Sequence, residues 1–313
     1  MRFAFFGSSK FAQIVLQELL QEDWQPVLVV TNPARPKGRK HILSPTPVEQ
    51  VARKYNIPVL TPVSLKTESF QEALSKYRLD ICILTAYGKI VPEEILLIPT
   101  HGFVNIHPSL LPRYRGATPI QSTILAGDTE TGITLLLMDK EIDHGPIIQK
   151  AGYKIGNTRI TYSDLMPELA PRGAKLVIEA LPLWLKGEIT PQPQDESLAT
   201  YCSKITFTDE KINWDVSSTM VDRKVRSLSS HPLAYFQVLD KRFKVGQGQP
   251  YSGDVNWEDK KIGEIFSQND QLIVKCKEGA YLIEMIQPAG KNMMKGADFL
   301  RGNKWILEKI LNS

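Results

Sequence analysis

Residues 103 to 119 read Phe-Val-Asn-Ile-His-Pro-Ser-Leu-Leu-Pro-Arg-Tyr-Arg-Gly-Ala-Thr-Pro. Phe103 to Ile106 has the β-favouring alternation of a buried strand, and the Pro- and Gly-rich segment behind it cannot continue a sheet. Residues two apart on a strand project together. Asn105 and His107 therefore leave this strand on one face, at the carboxyl end where open parallel sheets place their ligands. An amide donor beside an imidazole can hold a developing oxyanion. The same two residues also suit a packed core histidine and a turn-forming asparagine.

Upstream, Arg2 to Phe6 reads as a strand. It turns through Gly7-Ser8-Ser9 into a helix with Phe11, Ile14, Val15, Leu19 and Leu20 at helical spacing. This opening lacks the second and third glycines of Gly-x-Gly-x-x-Gly, so a dinucleotide pyrophosphate has no close backbone approach and NAD or FAD is rejected. Val27 to Thr31, Ile57 to Val59, Asp80 to Leu84, Ile133 to Met138 and Ile147 to Tyr153 read as further strands. Pro47 to Tyr55, Ser69 to Lys76 and Pro119 to Ala126 read as helices. Thr161 to Leu185 has a helical pattern with Pro167, Pro171 and Pro182 inside it, which predicts a break near Pro171. Alternating β and α elements point to an α/β fold, a Rossmann-like, doubly wound and mostly parallel sheet. Tyr87, in the loop after Leu84, reads as ordinary packing.

A length of 313 residues suggests two domains, and 42% hydrophobic with 23% charged residues is the composition of an ordinary soluble protein. No apolar run reaches the roughly 20 residues of a membrane span. The chain opens directly on a strand, so no signal peptide is expected. Three cysteines without Cys-x-x-Cys spacing argue for a reducing, cytoplasmic setting, and five histidines without ligand spacing argue against a metal. A net charge of +4 does not by itself indicate nucleic acid. Charge is concentrated locally: Arg35, Lys37, Arg39, Lys40 and His41 crowd one loop, which prolines and Gly38 are expected to keep out of regular structure.

Residues 189 to 205, polar and proline-bearing, have the composition of an extended linker between a domain at 1–188 and one at 206–313. The second part opens on a helix, Ser217 to Leu228, with Met220, Val221, Val225 and Leu228 inward. Five short strands follow, at about 235–239, 242–245, 263–267, 272–276 and 280–286. This pattern suggests a smaller β-barrel domain of the OB type, an architecture frequently used for oligonucleotides.

Asn-x-His-x-Ser-Leu-Leu-Pro-x-x-Arg-Gly at 105–116 is one of four blocks. The others are Gly127-Asp128 through Thr131-Gly132, Met138 with Asp143-His144-Gly145, and Gln287 to Lys291 with Asp298-Phe299-Leu300. Together they resemble the 10-formyltetrahydrofolate-dependent formyltransferases over essentially the whole chain, in the branch that acts on methionyl initiator tRNA. The resemblance implies transfer of a formyl group from 10-formyltetrahydrofolate, as donor substrate, to the α-amine of that tRNA in translation initiation. It implies a catalytic set of Asn105, His107 and Asp143, and a folate site lined by the backbone of Ser109, Leu110, Leu111 and Pro112. It further implies a tRNA-binding basic loop in which Arg39 is the matching arginine, with Lys37 and Lys40 beside it. Lys40 stands where the family usually has a second glycine. A monomer without metal or membrane attachment is expected. Rival readings are a formyltransferase for an amino-sugar nucleotide, a formyl-tetrahydrofolate hydrolase, and a non-catalytic RNA-binding protein.

Overall fold

The computed structural model describes residues 1–37, 42–156, 159–253, 257 and 259–311. In chain order the elements of the first half are β1 Phe3–Phe6, α1 Lys10–Gln21, β2 Leu28–Val30, β3 Arg35–Lys37, β4 Ile42–Ser44, α2 Pro47–Lys54, β5 Val59–Leu60 and α3 Glu68–Ser75. They continue with β6 Ile81–Leu84, α4 Glu93–Leu96, β7 Phe103–His107, β8 Arg115–Gly116, α5 Pro119–Ala126, β9 Glu130–Leu137, β10 Ile147–Lys154 and α6 Tyr162–Leu185. The chain folds into two compact units. One comprises residues 1–119, 129–156 and 166–203, and the other residues 120–128, 157–165 and 204–313.

The first unit is built on a sheet that, among the described residues, has seven strands in the order β10-β9-β7-β6-β1-β2-β5. β9 pairs antiparallel with both β7 and β10 and the other pairings are parallel, so β9 alone runs against the rest. β1, β6 and β7 are buried throughout, as strands covered on both faces must be, which explains the continuous apolar sequences of β1 and β6. The chain leaves β1 towards β2 and β5, then returns to β6 on β1's other side. Open sheets with such a reversal place their ligands at the carboxyl ends of the strands. Ser9 caps α1 by accepting from the Ala12 amide at 3.2 Å, and the buried stripe Phe11, Ala12, Val15, Leu16, Leu19 and Leu20 faces the sheet side of the core. Thr46 caps α2 in the same way, ahead of Pro47.

Three expectations are corrected here. First, α6 is one helix of 24 residues that runs through Pro167, Pro171 and Pro182 without ending. Each proline costs about 3 kcal/mol in a helix interior. Against that cost stand Leu169, Ala170, Ala174, Val177, Ala180 and Leu181, all buried, while the prolines lie off this stripe, with Pro167 exposed. Carbonyls left unpaired there can be hydrated.

Second, the basic loop is not wholly irregular. β3 and β4 form an antiparallel ribbon in which Pro36 lies opposite Leu43. A two-stranded ribbon leaves each outer edge unpaired, so a proline can sit where no amide hydrogen is required. Gly38, Arg39, Lys40 and His41 lie outside the described residues.

Third, residues 189 to 203 do not hang free as the linker composition suggests. Gln192 and Ile147 exchange both backbone hydrogen bonds, at 2.7 and 2.8 Å, and β11 (Tyr201–Cys202) pairs parallel with β8.

The second unit contains α7 Ser218–Ser227, β12 Ala234–Val238, β13 Lys241–Pro250, β14 Ile265–Gln268, β15 Gln271–Lys275, β16 Ala280–Pro288, β17 Met294–Lys295 and α8 Gly296–Gly302. Its ladder is antiparallel, β12-β13-β16-β15-β14 with β17 added to β16. Register shifts between Val245 and Gly248 bend the long β13, as a partly open OB-type barrel requires. Trp214, Phe236, Phe243, Val245, Ile283 and Phe299 are among its core. On α7, Val221, Val225 and Leu228 point inward as expected, but Met220 is exposed and Asp222 is buried in its stead. Asp222 takes ion pairs from Arg159 and Arg226, which make its burial tolerable. Among the described residues no helix is long and apolar enough to cross a membrane.

Candidate active site

The carboxyl end of β7 delivers Asn105 and His107 as the strand period demands, both buried, at 7% and 3% exposure. Thr85, following β6, donates to the Ile106 carbonyl at 2.8 Å and ties the two strand ends together. Asp143 arrives from the loop between β9 and β10. Its carboxylate lies against the other two: Asn105 Nδ2 donates to Oδ1 at 2.8 Å, and His107 Nδ1 lies 3.5 Å from Oδ2. The three residues expected to act together are thus brought together.

Orientation of each group follows from its partners. Tyr114 O lies 2.8 Å from His107 Nε2. A carbonyl only accepts, so Nε2 carries the hydrogen and Nδ1 is left to face the carboxylate. The Gly116 amide donates to Asp143 Oδ2 at 2.8 Å. Gly116 itself sits at φ +121°, and a Cβ there would lie 2.1 Å from the Cys202 carbonyl oxygen. Only glycine brings this amide to the carboxylate. Gly145 is equally constrained, because its Cβ would fall 1.9 Å from the Leu137 oxygen where the loop folds back on β9.

Between strand and carboxylate runs the Ser109–Pro112 segment. Ser109 and Leu111 are buried. Thr134 on β9 pins the segment, donating to Ser109 O at 2.7 Å and accepting from the Leu111 amide at 3.0 Å. Lys150 Nζ donates to Leu111 O at 3.1 Å, and Thr200 N to Pro112 O at 3.2 Å. Each carbonyl keeps a second lone pair, so a ligand can still be read by this backbone.

Sequence reasoning assigned no role to Arg115, Gln194, Glu196 or His144. Arg115 is 1% exposed and its guanidinium meets Glu196 in a two-pronged pair at 2.9 and 2.6 Å. This pair holds the Glu196 carboxyl below the usual carboxylate range. His144 Nδ1 lies 2.6 Å from Asp139 Oδ2, a hydrogen bond that raises the imidazole above its ordinary value. Tyr87, expected to pack, is 1% exposed and edge-on to Phe6 at 5.6 Å, and burial pushes its phenol up to about 12. Of the basic residues, Lys37 ends β3, while Arg39 and Lys40 are outside the described residues.

An amide, an imidazole and a carboxylate at the carboxyl end of a strand of a Rossmann-like sheet, in a chain that also carries an antiparallel second unit, fit the layout of a formyl transferase. Residues 1–181 match the family model described as formyl transferase, and residues 204–304 match that of the formyl transferase C-terminal domain. The methionyl-tRNA formyltransferase of Nitrosomonas europaea is 36% identical over 97% of this chain and 94% of its own. That of Myxococcus xanthus is 37% identical over 97% and 95%. The chain belongs to the methionyl-tRNA formyltransferase family. Among solved structures, HypX from Aquifex aeolicus in complex with tetrahydrofolic acid superposes with a TM-score of 0.66 at 20% identity, over 96% of this chain and 47% of that one. The chain thus spans about half the length of HypX, and the likeness is one of fold.

Proposed function

We propose that the chain transfers the formyl group of 10-formyltetrahydrofolate to the α-amine of methionyl initiator tRNA, supporting translation initiation. The observation that carries this reading is the carboxylate of Asp143 held between Asn105 Nδ2 and His107 Nδ1. These groups fit a formyl donor. Asn105 spends one amide hydrogen on Asp143 and has a second to give, and a carboxylate oxygen with one partner can accept another.

In this reading Asn105 Nδ2, with the imidazole of His107 beside it, holds the formyl oxygen as negative charge grows on it during attack by the amine. Fixed donors at that point lower the barrier more than in water because they are already oriented. Asp143 accepts the proton released by the attacking amine and returns it, directly or through one water, to the folate nitrogen as the carbon–nitrogen bond breaks. The proton count balances: one leaves the acceptor nitrogen and one arrives on the departing nitrogen. An α-amine with a reference pKa of about 8, lowered by the neighbouring ester, needs little activation. The backbone of Ser109, Leu110, Leu111 and Pro112 lines the folate site, and Lys37, Arg39 and Lys40 meet the tRNA acceptor end as phosphate partners.

The test is to incubate the protein with formyl-labelled 10-formyltetrahydrofolate and either charged or uncharged initiator tRNA. Label should enter only the charged tRNA. Label released as formate would support the hydrolase instead, and transfer to an amino-sugar nucleotide alone would support that rival. In the same assay Arg39→Ala should reduce the slope of log affinity against log salt by about one. An unchanged slope would return Arg39 to a solvated loop.

A further inference from the structure

The loop that bears Asp143 is restrained by groups the mechanism does not use. Asp143 sits at φ +52°, a left-handed conformation that a side-chain-bearing residue adopts at a cost of about 1 kcal/mol or more. Gln194 holds it there. Its Nε2 donates to Asp143 O and to Gly145 O, both at 2.8 Å, so the two carbonyls that flank the turn share one amide group. On the other side, Gln194 Oε1 accepts from Arg115 Nε at 3.0 Å and from Nη2 at 2.9 Å. Both hydrogens and both lone pairs of this amide are therefore used.

The orientation admits no alternative. Flipping the amide would set its NH2 against a guanidinium and its oxygen against two carbonyls. Arg115 is in turn fixed by the Glu196 carboxylate, and the residue after it, Gly116, gives its backbone amide to Asp143 Oδ2. Asp143 is thus gripped by its own carbonyl through Gln194 and by its carboxylate through Gly116, with both grips anchored at one point of the chain.

We propose that Gln194, oriented by Arg115, is a positioning residue that fixes the Asp143 carboxylate for its part in the reaction. This rests on the role given to Asp143 under Proposed function. The bland alternative is that Gln194 serves only to fasten residues 189–203 to the first unit.

Gln194→Glu separates the two. A carboxylate of the same size still accepts both Arg115 hydrogens, so the fastening is kept, but it presents an oxygen to the carbonyls of Asp143 and Gly145. In the full-length protein, amide hydrogen exchange over residues 139–145 should quicken about tenfold or more, with exchange over 189–203 unchanged. Turnover should fall about tenfold or more, while KM for donor and acceptor stays within about twofold. In an Asp143→Ala background the same substitution should have no further effect on turnover. Gln194→Leu, which removes the donors and also the Arg115 acceptor without adding charge, gives the quickened exchange over 139–145 should the glutamate variant fold poorly, with the comparison over 189–203 left to the glutamate variant.

Unchanged exchange over 139–145 overturns the proposal. So does quickened exchange with unaltered turnover, or a turnover loss of equal size in both backgrounds. Wild-type protein that formylates no methionyl-tRNA fails the reading of function instead, and the exchange comparison still decides whether Gln194 holds the loop.

Discussion

Asp143→Ala is expected to lower the turnover of formyl transfer by on the order of a hundredfold or more, the scale of losing one preorganised group beside a developing oxyanion. Two effects act together. The variant loses the only proton acceptor that the described geometry places against both Asn105 and His107, at 2.8 and 3.5 Å. It also frees the Asn105 amide to turn, because the carboxylate is what aims it, while His107 stays held at Nε2 by the Tyr114 carbonyl. Steady-state turnover of the purified variant on charged tRNA is the measurement, with donor affinity as the control. Near-normal turnover would remove Asp143 from the chemistry.

Trp214→Ala should destabilise the second unit by about 3–5 kcal/mol, the usual cost of emptying a buried indole site. Trp214 is fully buried and packs edge-on to Phe236 with centroids 6.1 Å apart. Its Nε1 is buried and has no hydrogen-bond partner among the described residues. Trp214→Phe keeps an aromatic ring in the site and should fall within about 1.5 kcal/mol of wild type. Denaturant unfolding of both variants checks this. A phenylalanine variant as unstable as the alanine one would mean that ring area does not govern the site.

Most of the first unit is legible in the sequence because its strands are unambiguous. β1 and β6 are short apolar runs flanked by turn residues, as strands buried on both faces read, and β7 shows the alternation of a buried strand. That Asn105 and His107 share one face follows from strand period, while their choice over a packed histidine and a turn-forming asparagine comes from the family resemblance. No spacing rule links Asp143 to β7, and only the family resemblance singles it out. What misled is equally physical. Prolines in α6 signal a break, yet the buried face of that helix outweighs them, since packing gains are set by tertiary neighbours that local sequence does not name. Met220 has the right residue type for an inward position but lies one step off the stripe of Val221, Val225 and Leu228. Gln194 left no signal at all. It lies in a polar tract that reads as linker, and its amide serves a loop 51 residues earlier in the chain.

Convergence of Asn105, His107 and Asp143 on one formyl carbon is most directly tested by a crystal structure of the protein with a non-transferable 10-formyl folate analogue. The expected result places the formyl oxygen about 2.7–3.1 Å from Asn105 Nδ2, with the Asp143 carboxylate within one hydrogen bond, or one bridging water, of the folate nitrogen. A formyl group bound away from β7, with Asn105 and Asp143 touching only each other, would contradict it.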